Sequence, residues 1–206
     1  MSEGRFITFE GVDGAGKTTQ LEWATRFLKE QGFALTVTRE PGGTQLGEAL
    51  RQVLLGAEQA AHPETETLLM FAARREHIDK VILPALQRGD VVLCDRFTDA
   101  TFAYQGGGSG VDPAKIEALE GLVHAELQPD LTLYFDLPVE LARQRIDHER
   151  QADRFERESA AFFDRVRTAY LSRAEQYPER FRVVDASLTQ VEINRLLEAV
   201  LLRVCR

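Results

Sequence analysis

At 206 residues, with 44% apolar and 28% charged side chains, the chain has the size and mix of one soluble globular domain built around a real hydrophobic core. A formal net charge of −8 argues against general nucleic-acid binding, which needs a basic footprint to displace counterions from phosphates. Two cysteines, Cys94 and Cys205, form no disulfide framework, and no signal pattern or apolar run approaches the roughly 18 residues of a membrane span, so a cytoplasmic protein without a membrane partner is expected.

In chain order, short β-branched or aromatic runs alternate with longer segments of helical period. Strands are predicted over Arg5 to Glu10, Leu35 to Arg39, Val91 to Asp95, Leu131 to Asp136 and Phe181 to Asp185. Helices are predicted over Lys17 to Gln31, Thr44 to Leu55, Glu66 to Gln87, Asp112 to Ala125, Val139 to Glu149, Ser159 to Tyr177 and Leu188 to Arg203. Asp112 followed by Pro113 pairs a capping residue with proline at the first helical position. The alternation implies βαβ units, hence an α/β fold with a parallel sheet covered on both faces and ligands beyond the carboxyl ends of the strands. No linker or repeat divides the chain, and residues 1–206 read as one domain. The glycine-rich Gly106 to Gly110 reads as a flexible surface loop.

Directly after the first strand comes Gly11-Val12-Asp13-Gly14-Ala15-Gly16-Lys17-Thr18, a full G-x-x-x-x-G-K-[ST] match followed by Thr19. Glycines let backbone N–H groups face an anion, and the next helix presents its positive end to it. Lys17 suits the β- and γ-phosphates of ATP or GTP, and the Thr18 hydroxyl suits Mg²⁺, with Asp95 at the end of the third strand as the second expected ligand. The chain has no N-K-x-D motif of a guanine-specific switch, and its third strand ends Cys94-Asp95-Arg96 rather than in paired carboxylates. An arginine at that strand mouth suits a second phosphate-bearing substrate.

Four ordered blocks carry a resemblance: GVDGAGKTT at Gly11 to Thr19, TREPGGT at Thr38 to Thr44, LCDRFTDATFAYQG at Leu93 to Gly106, and DRFERE at Asp153 to Glu158. Over nearly its whole length the chain resembles the bacterial thymidylate kinases. That resemblance implies a P-loop NTPase three-layer fold with a five-stranded parallel sheet, a homodimer, and transfer of the γ-phosphoryl of MgATP to dTMP. By the same resemblance Arg96 grips the acceptor phosphate, while Asp13 binds the sugar 3′-OH and orients that arginine. Arg39, Glu40, Pro41 and Arg51 line the dTMP pocket. Thr101 and Gln105 read the pyrimidine edge, and Tyr104 crowds the 2′ position. The family places an aromatic ring four residues before a base-reading arginine. Here Met70 precedes Arg74 by four and Phe71 precedes Arg75 by four, so the sequence does not decide between the pairs. Arg74 is favoured as the base reader, with Phe71 in the pocket wall.

Some members of that family carry an arginine within the P-loop, where this chain has Gly14. Transition-state charge is therefore expected from a mobile lid over about 143–157, which holds Arg143, Arg145, Arg150, Arg154 and Arg157. Arg154 is the expected catalytic cation, with Arg150 or Arg145 next. The turn Asp185-Ala186-Ser187 is where the resemblance puts adenine. The rival readings are another P-loop nucleotide or deoxynucleoside kinase, and a P-loop NTPase that acts as a switch without an acceptor.

Overall fold

The computed structural model describes residues 4–56, 61–145, 154–155 and 157–206. Five parallel strands, β1 (Arg5–Glu10), β2 (Leu35–Arg39), β3 (Val91–Asp95), β4 (Leu131–Asp136) and β5 (Phe181–Asp185), form one sheet in the order β2-β3-β1-β4-β5. Their bounds are those the sequence predicts. β1 is central, pairing Ile7 with Leu93 on one side and with Leu131 on the other. Its alternate residues enter two cores. Ile7 and Phe9 join Leu93, Leu133 and α1 (Lys17–Glu30), whereas Phe6 joins Val92, Cys94 and Phe71 on α3 (Pro63–His77). A sheet buried on both faces explains strands that read as continuous apolar runs.

The other helices are α2 (Gln45–Gly56), α4 (Leu83–Gln87), α5 (Thr98–Thr101), α6 (Pro113–His124), α7 (Val139–Arg145), α8 (Ala160–Gln176) and α9 (Gln190–Cys205). α3 begins three residues before the predicted Glu66, because His62 caps it by accepting from the Glu64 N–H and Pro63 starts it. α3 and α4 are joined through a π-helical stretch, Ile78–Ile82, just ahead of Pro84, whose missing N–H interrupts the ordinary ladder. Thr189 and Glu192 form a reciprocal capping box on α9.

One expectation is overturned. Gly106 and its neighbours are not a surface loop: α5 continues into a π-helix, Phe102–Gly108, packed on α8. A Cβ on Gly107 would lie 2.6 Å from the Ala169 Cβ, and one on Gly108 would lie 2.5 Å from the Phe162 ring. The glycines are there because α8 comes that close, which composition alone does not reveal.

Candidate active site

The carboxyl ends of β1, β2 and β3 open on two adjoining cavities. The first is lined by the P-loop from Asp13 to Thr19, by Arg145 of α7 and by Ala186, just past β5. Gly11, Gly14 and Gly16 take φ values of +141°, +83° and +83°, which turn the loop around this cavity. Gly11 and Val12 lie beneath the lining; the Val12 carbonyl accepts from Lys17 Nζ at 3.0 Å. Burial, with the charge of Arg96 beside it, pushes the Lys17 ammonium below its ordinary pKa. A buried amine in a glycine-turned loop at a helix start is built for a polyanion. Among the described residues Lys17 and Arg145 are the cations of this cavity, and Arg145 Nη1 donates to the Ala186 carbonyl at 2.8 Å.

The second cavity is lined by Asp13, Glu40, Pro41, Arg51 and Met70, and further by Arg74, Arg96, Phe97, Thr101, Tyr104, Gln105 and Phe155. Asp13 belongs to both cavities. Arg96 Nη2 bonds Asp13 Oδ1 at 3.0 Å and the Tyr104 hydroxyl at 3.1 Å, with its guanidinium over the Tyr104 ring. Burial works to raise the Asp13 carboxyl, but Arg96 and Lys17 outweigh it and hold it at about 2. Arg96 is the one non-glycine residue with positive φ among those described, at +70°, a conformation that sites retain where the surroundings demand it.

The far end of this cavity is set to meet acceptors. Arg74 donates from Nε to Glu40 Oε2 at 2.7 Å and from Nη2 to Thr101 Oγ1 at 3.1 Å, which leaves Nη1 buried without an acceptor. Gln105 lies beside Glu66, yet its buried Nε2 also lacks an acceptor in hydrogen-bond geometry. Arg51 Nη1 donates to the Pro41 carbonyl at 3.0 Å. A cavity with cations at one end and unsatisfied N–H donors at the other matches a phosphate linked to a carbonyl-bearing ring.

The thymidylate kinase family model matches residues 9–196. The thymidylate kinase of Nitrosomonas europaea is 64% identical over 194 residues, covering 94% of this chain and 90% of that protein. The one from Nitrosospira multiformis is 60% identical over 195 residues, covering 95% of each. A solved thymidylate kinase from Ehrlichia chaffeensis superposes with a TM-score of 0.78 at 35% identity, covering 96% of this chain and 98% of that one. The chain belongs to the thymidylate kinase family.

Within this member of the family, several expected site residues stand elsewhere than the sequence suggested. Phe71 does not line the second cavity: it is 2% exposed in the core, stacked near His124, and the Arg74 guanidinium lies 4.7 Å above its ring. Met70 and Phe97 face the cavity instead. The four-residue spacing could not separate Met70 from Phe71, and nothing local marks Phe97. Arg39 points away to an exposed ion pair with Glu48 at 2.9 Å; Glu48 also accepts from the Gly43 N–H, so the pair braces the loop after β2. Arg75, the alternative base reader, bonds the Val123 carbonyl and Asp79 on the surface.

The expected lid falls mostly outside the described residues, Arg150 and Asp153 included. Arg154 is described, and it is not among the residues lining the P-loop cavity. It pairs with buried Glu66 at 2.6 Å by the second cavity, where Phe155 meets Tyr104 edge to face. Gly14 is packed so that a Cβ would fall 2.3 Å from the Ala142 carbonyl, so α7 occupies the space a P-loop arginine would need.

Mg²⁺ fits the residues present. Asp95 Oδ1 is buried with no donor, and Thr18 lines the P-loop cavity. Among the described residues no cluster of three or more His, Cys, Asp or Glu could hold a metal ion. No described helix is long and apolar enough to cross a membrane.

Proposed function

We propose that ATP occupies the P-loop cavity and dTMP the second cavity, and that the chain transfers the γ-phosphoryl of ATP to dTMP to give ADP and dTDP. The observation that carries this reading is that the two cavities meet at Asp13, with Arg96 bonded to it and turned to the same junction. Phosphoryl transfer requires two polyanions held in line with their developing charge neutralised, and little covalent help.

On this reading the P-loop N–H groups and Lys17 hold the donor phosphates. Thr18 and Asp95 would hold Mg²⁺, which supplies charge neutralisation across the β- and γ-phosphates. Arg96 holds the acceptor phosphate in a bidentate grip, and Asp13, ionised over any working pH, fixes Arg96 and accepts from the sugar 3′-OH. Arg51 adds positive charge on the acceptor side. Arg74 Nη1 and Gln105 Nε2 supply donors to the pyrimidine oxygens, and the buried Arg74 Nη1 without an acceptor supports the reading. Tyr104, locked by Arg96 and Phe155, crowds the 2′ position. The cation added at the transition state is Arg145, because it lines the P-loop cavity and Arg154 is engaged with Glu66. The adenine lies by Ala186, which lines the same cavity.

The whole chain, residues 1–206, works as one cytoplasmic catalytic domain in a homodimer. Exposed Leu46 and Val53 on α2, Leu68 on α3 and Leu122 on α6 support a pairing face on those helices. The activity is tested by an acceptor panel with MgATP: dTMP, dUMP, dCMP, dGMP and thymidine. Preference for dTMP with no turnover of thymidine is expected. Turnover of thymidine in preference to dTMP would make it a nucleoside kinase.

A further inference from the structure

His77 is fully buried on α3, three residues past Arg74, and plays no part in the reaction as described above. Its Nδ1 lies 2.9 Å from Glu40 Oε1, and its Nε2 lies 2.6 Å from Thr38 Oγ1. Glu40 Oε2 takes Arg74 Nε at 2.7 Å. A continuous chain of contacts therefore runs Thr38–His77–Glu40–Arg74 and ends at the buried Nη1 that lacks an acceptor and borders the second cavity. The ring also supports the loop after β2: a Cβ on Gly43 would lie 2.5 Å from it.

Proton accounting gives each member one role. Burial alone would raise the Glu40 carboxyl, but Arg74 and His77 outweigh it and hold it below the ordinary carboxylate value. An ionised Glu40 only accepts, so His77 Nδ1–H donates to it. Its Nε2 meets the Thr38 hydroxyl, and the two contacts together fix the ring's orientation. Glu40 is thus pinned at both oxygens, and Arg74 at Nε by Glu40 and at Nη2 by Thr101, with Phe71 and Phe97 4.7 Å and 5.1 Å from the guanidinium carbon.

We propose that His77 is a positioning residue for base selection, holding Glu40 so that Arg74 Nη1 is aimed at an oxygen of the acceptor's ring. The proposal rests on the second cavity being the dTMP site. Its chemical consequence is discrimination between bases. Thymine offers a carbonyl oxygen at position 4, where cytosine offers an amine; an N–H donor held rigidly in place accepts the first and rejects the second. A loosened Arg74 loses that distinction first.

The test is the ratio of kcat/KM for dTMP over dCMP in His77→Leu, His77→Asn and Thr38→Val, each with its Tm. Asparagine places an amide N–H near the Nδ1 position; leucine cannot donate. His77→Leu should raise the dTMP KM and lower the ratio on the order of tenfold, with the ATP KM and the kcat for dTMP nearly unchanged. His77→Asn should keep most of the wild-type ratio even where its Tm falls as far as that of His77→Leu. An unchanged ratio in folded His77→Leu, or a ratio that follows Tm rather than the donor, overturns the proposal. Should His77→Leu not fold, Thr38→Val decides: a ratio lowered severalfold supports the proposal, and an unaltered one overturns it. Wild-type protein that fails to phosphorylate dTMP would instead overturn the proposed function, a separate result.

Discussion

Replacing Arg96 by alanine should separate the two subsites. Its guanidinium holds Asp13 Oδ1 at 3.0 Å and the Tyr104 hydroxyl at 3.1 Å, and its side chain is 16% exposed, so the N–H groups meant for the acceptor phosphate are already oriented. A hydrogen bond to a charged group contributes about 1.5–3 kcal/mol, and guanidinium meets phosphate with two. With water partly replacing them in the truncated site, the loss comes to roughly 3–4 kcal/mol, on the order of 10²- to 10³-fold in kcat/KM for dTMP. The ATP KM should move by no more than about threefold, because the P-loop N–H groups and Lys17 are untouched. The backbone supplies an internal control. At φ +70° an L-residue is strained by roughly 1–2 kcal/mol, so Arg96→Gly should be about 1 kcal/mol more stable than Arg96→Ala while losing the same activity. Initial rates over a grid of ATP and dTMP concentrations, with urea unfolding of both variants, give all three quantities. An ATP KM that rises while the dTMP KM holds would mean that the subsites are exchanged and that the reasoning from Arg96 fails.

Three further outcomes follow from particular contacts. Arg145→Ala should lower kcat on the order of 10³-fold with modest change in either KM, and Arg154→Ala should chiefly raise the dTMP KM through Glu66 and Phe155; the opposite pattern would return Arg154 to the transition state. Gly108→Ala should cost about 1–3 kcal/mol in urea unfolding by driving a Cβ to 2.5 Å from Phe162, whereas Gly121→Ala, with open space around it on α6, should gain about 0.5–1 kcal/mol; equal midpoints would mean α8 is not packed that closely. Glu10, buried and facing Asp99, has its carboxyl raised to about 8 from an ordinary 4.5. The native state therefore holds that proton over a range where the unfolded chain has lost it, and stability should fall as pH rises from about 4.5 to 8; in Glu10→Gln the decline should be smaller, and equal slopes would remove Glu10 as its source.

The inner strands β1, β3 and β4 were legible because a parallel sheet buries them on both faces, and the edge strands β2 and β5 because β-branched and aromatic residues stop at a charged one. The P-loop was legible because its chemistry needs fixed residue types at fixed spacing. The segment from Thr98 to Gly108 was not, since threonine, aspartate and three consecutive glycines read as loop, and only the approach of α8 makes them helical. Met70 and Phe71 sit side by side on α3, and a difference of about 100° in helical phase decides which faces the cavity. Arg154 stood first and Arg150 or Arg145 next in a row of arginines; that Arg145 lines the P-loop cavity and Arg154 does not depends on where α7 ends and on buried Glu66, far away in sequence. His77 gave no signal because its partners, Thr38 and Glu40, lie 39 and 37 residues earlier in the chain and meet it only in the folded protein.

The central claim is that the two cavities exchange one phosphoryl group across Asp13 and Arg96. Phosphorus NMR of the protein with MgATP and dTMP tests it most directly. The account predicts ADP and dTDP appearing in equal amounts, with inorganic phosphate a minor product and none of the dTDP forming when Lys17→Ala replaces the wild type. Inorganic phosphate accumulating while dTMP stays unchanged would contradict it.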